Sequence, residues 1–294
     1  MVKRVLITGA NKGIGLATVA AVLAAQDDTF VFLGSRDGTR GAAARDDLIA
    51  QEPGWAERIE VVQLDVSSDA SVAAALEAVA ATAGREPGAL FGIINNAGMG
   101  LGGQPMSEVL QVNTHGPRRV CEAFLPLLDP QSGRIVNVSS AAGPTFVSRC
   151  SEARQQQLTN PDVSWADVEA LMAECLAIEA SGGSFADAGL GGGVAYGLSK
   201  ACLNAYTIAL ARSHPNLVIN ACTPGYIETD LTRPRLQGRS AQSMGMKSPT
   251  EGTKASLHLL LGDPGGSGWY FGSDAQRSPM HRYRSPGDPP YTGD

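Results

Sequence analysis

The chain opens MVKRVLITGANKGIG, a short apolar strand that runs directly into glycines at Gly9, Gly13 and Gly15. The order strand, glycine turn, helix limits the fold more than any other feature of the sequence. Thr8 ends the strand, and residues without a Cβ let backbone come close to a phosphate that side chains would block. The helix that starts near Gly13 then directs its free N–H groups and positive dipole end at the anion. The spacing G-x-x-x-G-x-G differs from the common dinucleotide fingerprint G-x-G-x-x-G, so the turn alone does not define a ligand.

Strand-like and helix-like patterns alternate along most of the 294 residues. Strands are predicted at Arg4–Thr8, Phe30–Gly34, Ile59–Leu64, Phe91–Ile94, Arg134–Ser139, Leu217–Cys222 and Trp269–Phe271. Alanine-rich amphipathic stretches lie between them, among them Gly15–Ala25, Ser71–Ala83 and Ala195–Arg212. Continuous apolar strands joined by helices imply an α/β fold, a doubly wound parallel sheet of about seven strands buried on both faces. Its ligand crevice is expected outside the carboxyl ends of the strands. One domain over residues 1–278 is expected, interrupted by an insert at about 143–193 and followed by an irregular tail at 279–294. Within the insert, Ser164 and Asp167 read as a capping box. Trp165, Val168, Leu171, Met172, Cys175 and Leu176 recur at helical spacing. The glycine-rich stretch Ala180–Gly193 reads as a flexible link.

Composition excludes several classes. A hydrophobic fraction of 43% indicates a sizeable core, and a net charge of −6 without a basic run argues against nucleic-acid binding. No apolar stretch is long enough to span a bilayer. The first strand starts within a few residues of Met1, so no secretory leader is expected. Five cysteines without a C-x-x-C pair suit a reducing, cytosol-like compartment. Four histidines (His115, His214, His258, His281) lack metal-ligand spacing, so no metal is expected.

Polar or glycine signatures recur at the strand ends. Asp65 ends the third strand, NNAG (Asn95–Gly98) the fourth, Ser139 and Ser140 the fifth, and CTPG (Cys222–Gly225) the sixth. Asn113 sits in the helix after the fourth strand. Tyr196 and Lys200, four residues apart at the start of a helix, fall on one face. A phenol normally ionises near pH ~10. An ammonium beside it favours the phenolate and makes the phenol a better proton donor near neutrality.

TGANKGIG, Asp65, NNAG, Asn113, the serine pair, Y-x-x-x-K and PG in this order resemble the short-chain dehydrogenase/reductase family, from Met1 to about Gly272. RIVNVSS, NACTPGYIETD, KSPTEG and the long segment before Tyr196 look like its monomeric NADPH-dependent carbonyl reductases. The resemblance implies a catalytic tetrad of Asn113, Ser140, Tyr196 and Lys200. Tyr196 would give a proton to the substrate oxygen and Ser140 would hydrogen-bond that oxygen. Lys200 would hold the nicotinamide ribose, and Asn113 a water on the proton path. Ser139 is expected to point into sheet packing. The implied cofactor site comprises Gly9, Asn11, Lys12, Gly13, Ile14 and Gly15 of the turn, Asp65 and Val66 by the adenine, Asn95, Ala97 and Gly98 by the adenosine ribose, and Pro224, Gly225 and Thr229 by the nicotinamide and pyrophosphate. A helix N-cap is the rival role for Asp65.

Charge bears on the cofactor. Where an NAD enzyme carries an acid after the second strand, this chain has Ser35 and Arg36. Arg36 and Arg40 can clamp a 2′-phosphate, with Lys12 as a third charge, which favours NADP(H). Asp37 is the alternative, as the acid of an NAD site.

Three stretches depart from the resemblance. The stretch between Ser140 and Tyr196 is much longer than in most of the family. An outward bulge there would cover the helices by which relatives tetramerise, so a monomer is expected, with the insert as one wall or lid of the substrate cleft. The loop between Gly98 and Asn113 is short. The tail after Gly272 also departs, and its basic cluster Arg277, Arg282 and Arg284 reads as solvated surface. The expected activity is reduction of a small-molecule ketone, aldehyde or quinone. A dedicated secondary-metabolite ketone reductase and a non-catalytic NADP(H)-binding regulator are the alternatives.

Overall fold

The computed structural model describes residues 2–100, 103–192 and 195–293. Met1, Leu101, Gly102, Gly193 and Asp294, which fall in stretches considered above, lie outside the described residues. Strands β1 (Lys3–Ile7), β2 (Thr29–Ser35), β3 (Ile59–Gln63), β4 (Gly92–Asn95), β5 (Arg134–Val138), β6 (Val218–Cys222) and β7 (Tyr270–Phe271) run parallel. Strand β8 (Arg277–Ser278) turns back antiparallel on β7, which makes eight strands in the order β3-β2-β1-β4-β5-β6-β7-β8. The extra strand is two residues long, too short to leave a periodic signal. The order reverses between β1 and β4, so the loops after these strands diverge and open a crevice at their carboxyl ends.

Helices α1 (Gly13–Ala25), α2 (Gly38–Gln51), α3 (Asp69–Ala83), α4 (Met106–Leu110) and α5 (Gly116–Phe124) belong to the first half. Helices α6 (Ala142–Val147), α7 (Glu152–Thr159), α8 (Trp165–Ser181), α9 (Ala195–Ser213) and α10 (Lys254–Leu261) belong to the second. Alternate residues of each strand feed opposite faces. On one face Leu6, Phe32, Ile93 and Ile135 pack with Val72, Val120, Phe124 and Leu203. On the other, Val5, Ile7, Val31, Leu33 and Val136 pack with Val19, Leu23 and Leu259.

The insert forms a third cluster. Ser164 and Asp167 make the capping box that starts α8, and Val168, Leu171, Met172 and Cys175 bury against Leu198, Cys202 and Ala205 of α9. Trp165 locks the start of α8 in place: its ring stands edge-on to His115 and Tyr206, with the Arg118 guanidinium 4.3 Å from its centre. The stretch expected to be a loose link is tied down among its described residues. Ser151 N donates to Gly189 O at 2.8 Å, Arg154 Nε donates to Ala188 O at 3.1 Å, and Leu190 is buried.

Candidate active site

The glycine turn owes its shape to close packing against the end of β4. Gly9 has φ +62°, and a Cβ there would meet the Ala97 Cα at 2.8 Å. The Thr8 hydroxyl accepts hydrogen bonds from the Asn96 and Ala97 amides, each at 3.0 Å, and the Asn96 side chain donates to Thr8 O and Gly9 O. No side chain caps α1 and no acid lies in its first turn. The amides at its start are therefore not taken up by a side-chain cap.

A cavity of about 690 Å³ lies over this turn. Gly9, Asn11, Lys12, Gly13, Ile14, Gly15, Arg36, Arg40, Asp65, Val66, Ala97, Gly98 and Thr229 all line it. Asn95 does not. Its side chain donates to Asn137 Oδ1 at 2.9 Å and to the Cys121 thiol at 3.3 Å, and its neighbour Asn96 faces the cavity instead. A central strand residue alternates in direction with the next, which moves the lining position by one. Asp65 is not a helix cap either. Ser68 caps α3, while the Asp65 carboxylate accepts from the Ser67 amide and hydroxyl.

The charges are arranged differently from the simple three-cation clamp. Lys12 reaches across the crevice to Asp230, Nζ to Oδ2 at 2.6 Å, so it is already paired. Asp37 caps α2 through the Arg40 amide at 3.0 Å and also holds the Arg40 guanidinium. That double use occupies the acid that would serve an NAD site. The Arg36 guanidinium remains, with no hydrogen bond or ion pair to protein among the described residues.

A second cavity of about 280 Å³ adjoins the first through the shared residues Ile14, Thr229 and Leu231. Ser140, Tyr196, Pro224 and Gly225 line it. Burial pushes the Tyr196 phenol above its ordinary value; a hydrogen bond with Ser140 and the nearby Arg235 charge draw it down. The Ser139 hydroxyl donates into the packing, to Lys200 O at 3.2 Å.

Lys200 and Asn113 lie one layer behind the cavities. The Lys200 ammonium is 5.8 Å from the Tyr196 ring centre and donates to Val138 O at 2.9 Å. Burial lowers its pKa to about 8. An ammonium has three donors; two of these find no acceptor among the described residues. Gly98 separates it from the larger cavity, and a Cβ at that glycine would stand 3.7 Å from Lys200 Nζ and 3.4 Å from Asn113 Oδ1. Asn113 is fully buried in a π-helical turn, Gln111–His115, between α4 and α5. Its amide clamps Met99 in both directions, accepting from N at 2.9 Å and donating to O at 2.8 Å, and donates to Ser199 Oγ at 3.0 Å. Its side chain thus positions the loop after β4 against α9.

The walls of the smaller cavity differ from expectation. No described residue of 143–193 lines either of the two cavities, because α8 docks on the outer side of α9. Tyr226, Leu231, Thr232 and Arg235 form one wall, and Ser273, Tyr283, Arg284 and Pro286 another. The tail is irregular, as expected, yet Arg284 is buried and paired with Asp274, and Arg277 stacks 3.9 Å over Trp269. Of the basic cluster, Arg282 alone is a freely solvated side chain. One tyrosine and three prolines in RYRSPGDPP read only as an irregular segment, and nothing in that composition pointed to the cleft.

A doubly wound sheet with this glycine turn and a Ser–Tyr–Lys cluster at its switch point defines a class, and sequence comparison agrees: the short chain dehydrogenase profile matches residues 3–151. The chain belongs to the short-chain dehydrogenase/reductase family. Carbonyl reductase (NADPH) 1 of Rattus norvegicus is 32% identical over 281 residues, which cover 90% of this chain and 92% of that protein. Menthone neomenthol reductase from Mentha piperita superposes with a TM-score of 0.74 at 26% identity, covering 93% of this chain and 99% of that one. The NADPH-bound carbonyl reductase from chicken fatty liver gives a TM-score of 0.65 at 25% identity, covering 94% and 98%.

Proposed function

We propose that the protein is an NADPH-dependent carbonyl reductase acting on a small-molecule ketone, aldehyde or quinone, built as one domain over residues 1–278 and working as a monomer in the cytosol. The Tyr196 phenol, set beside Ser140 on the wall of the smaller cavity with the Lys200 ammonium 5.8 Å from its ring centre, carries this reading. The relatives named NADPH carbonyl reductases support it. The residues present fit a phosphorylated dinucleotide: an uncapped helix start, a glycine floor, an unpaired Arg36, and two idle donors on a buried ammonium. NADPH, when bound, supplies the hydride.

This chain's own residues do the rest. Tyr196 delivers its proton to the carbonyl oxygen, and Ser140 hydrogen-bonds the same oxygen as negative charge develops there. Lys200 stabilises the phenolate left behind and offers its idle N–H groups to the nicotinamide ribose. Asn113 acts from a distance. It holds Met99 and Ser199 in place beside Lys200, and the family resemblance adds a water there that feeds protons to Lys200. Arg36 binds the 2′-phosphate. Five free, buried cysteines suit a reducing compartment, and coverage of α9 by the insert suits a monomer.

NADPH oxidation over a panel of aldehydes, ketones and quinones, with Tyr196→Phe alongside, tests the reading. Turnover that falls about 10²- to 10⁴-fold in the variant, with NADPH binding retained, is expected. Equal turnover in both proteins would remove Tyr196 from the mechanism.

A further inference from the structure

The smaller cavity is completed by a segment that lies beyond the last strand. Tyr283 and Pro286 line it together with Tyr196, Tyr226 and Leu231. Tyr283 is half exposed, 49%, and has no hydrogen bond to protein among the described residues. An aromatic ring left in that state beside a reactive phenol is available to a ligand.

What holds the ring there is more elaborate than its exposure suggests. The next residue, Arg284, is 8% exposed although it lies near the chain's end. Its guanidinium makes a two-point contact with Asp274 in the β7–β8 turn, Nη1 to Oδ1 at 3.1 Å and Nη2 to Oδ2 at 2.7 Å. It also donates to the carbonyls of Asp288 and Pro289 at 3.0 and 3.1 Å. A second fastening lies further along, where Arg277 donates to Thr292 O at 3.1 Å and packs over both Trp269 and Tyr291. The segment bearing Tyr283 and Pro286 is therefore pinned on both sides. A buried ion pair adds little net stability compared with apolar packing, but it fixes geometry. It also offsets the Arg284 charge, so Tyr283 and Pro286 supply the apolar part of this wall.

We propose that Tyr283 is a specificity-determining residue that packs against the apolar body of the ketone, and that the Arg284–Asp274 pair is the positioning device that sets its place. The proposal rests on the reductase reading for the reaction itself and adds the part of the substrate that the tail recognises.

Butan-2-one and 4-phenylbutan-2-one, alike at the reacting carbonyl and different in apolar body, are the probes. In the full chain, Tyr283→Ala raises KM for the phenyl ketone about tenfold relative to butan-2-one, and the loss falls on KM rather than kcat. Tyr283→Phe keeps the parent ratio. Asp274→Ala reproduces the Tyr283→Ala ratio, and the double variant adds nothing further. Should Asp274→Ala fail to fold, Tyr283→Ala decides alone, since its ring is outside the core. A KM ratio unmoved by Tyr283→Ala overturns the proposal. If the parent oxidises no NADPH with either ketone or with any member of the aldehyde, ketone and quinone panel, the reductase reading fails. The same ratio is then read as ketone Kd from the fluorescence of bound NADPH, and an unchanged ratio or no binding overturns the proposal.

Discussion

Burial strips the Lys200 ammonium of most of its hydration and brings its pKa to about 8, within reach of ordinary assay conditions. The sign follows directly. Below about pH 8 the side chain is charged and supports the phenolate left on Tyr196; above it the charge is lost. Because kcat/KM reports the free enzyme, its value for carbonyl reduction is expected to be level below pH 8 and to decline above. A pH–rate profile of kcat/KM for the carbonyl substrate, measured with NADPH kept saturating at each pH, checks this. Arg36 carries a second prediction. One charge-assisted contact is worth about 1.5–3 kcal/mol, so Arg36→Ala should raise KM for NADPH roughly 10- to 150-fold and leave KM for NADH little changed. Lys12→Ala should have a smaller effect, because that ammonium is already engaged with Asp230. These residue-level features were unevenly visible in the sequence. Strand ends and helical spacing marked the serine pair and the Tyr196–Lys200 face, while the choice of Ser140 and the role of Tyr196 came from the family resemblance. The pairing of Lys12 with a residue far along the chain did not, since no local pattern encodes it.

At the scale of elements, legibility followed length and periodicity. Helix α8 declared itself through its cap and apolar stripe, and the structure buries Val168, Leu171, Met172 and Cys175 from that stripe. Which surface it would cover was another matter: the stripe says that something is packed, not what. The insert therefore went to α9 and not over the cleft. Leu171→Ala removes a side chain that is 1% exposed between the two helices and is expected to cost about 2–5 kcal/mol, read by urea denaturation. Ser164→Ala should cost about 1 kcal/mol through the lost cap. Because neither residue lines a cavity, turnover at 25 °C should survive both. Strand β7 was foreseen at Trp269–Phe271, but its partner β8 and the π turn at Gln111–His115 left no trace in the sequence, as both are shorter than a period-based reading can resolve.

For the whole molecule, the doubly wound parallel sheet was legible from the succession of strands and helices, and so was the side on which the crevice opens. The contribution of the last fifteen or so residues was not, because it depends on one long-range pair. Asp274 is partly desolvated, which raises its pKa, but its hydrogen-bond partners outweigh this: Arg284 above all, with the Gln276 and Gly287 amides, holds the carboxyl below its usual range. The stability this contributes is present above the ordinary carboxylate pKa near ~3.9 and is lost as pH falls through the lower folded value. The tail should thus stay fastened at pH 5 and release only in stronger acid. Asp274→Ala strands the Arg284 charge and should make Arg282 and Arg284 prompt trypsin sites at neutral pH, whereas the parent resists. Analytical ultracentrifugation is expected to give the mass of one chain, 30.5 kDa; a tetramer would mean that the covered face of α9 is not what governs association.

The two ends of the polypeptide are, for this reason, unequal handles. Strand β1 begins at Lys3 on the amino edge of the sheet, away from the crevice, whereas the carboxyl end passes Tyr283 and Pro286 at the mouth of the smaller cavity. The cavity wall therefore depends on a fastening made elsewhere: any change that loosens the Arg277 and Arg284 contacts is expected to disturb Tyr283 and Pro286 while leaving the glycine turn and its nucleotide site untouched.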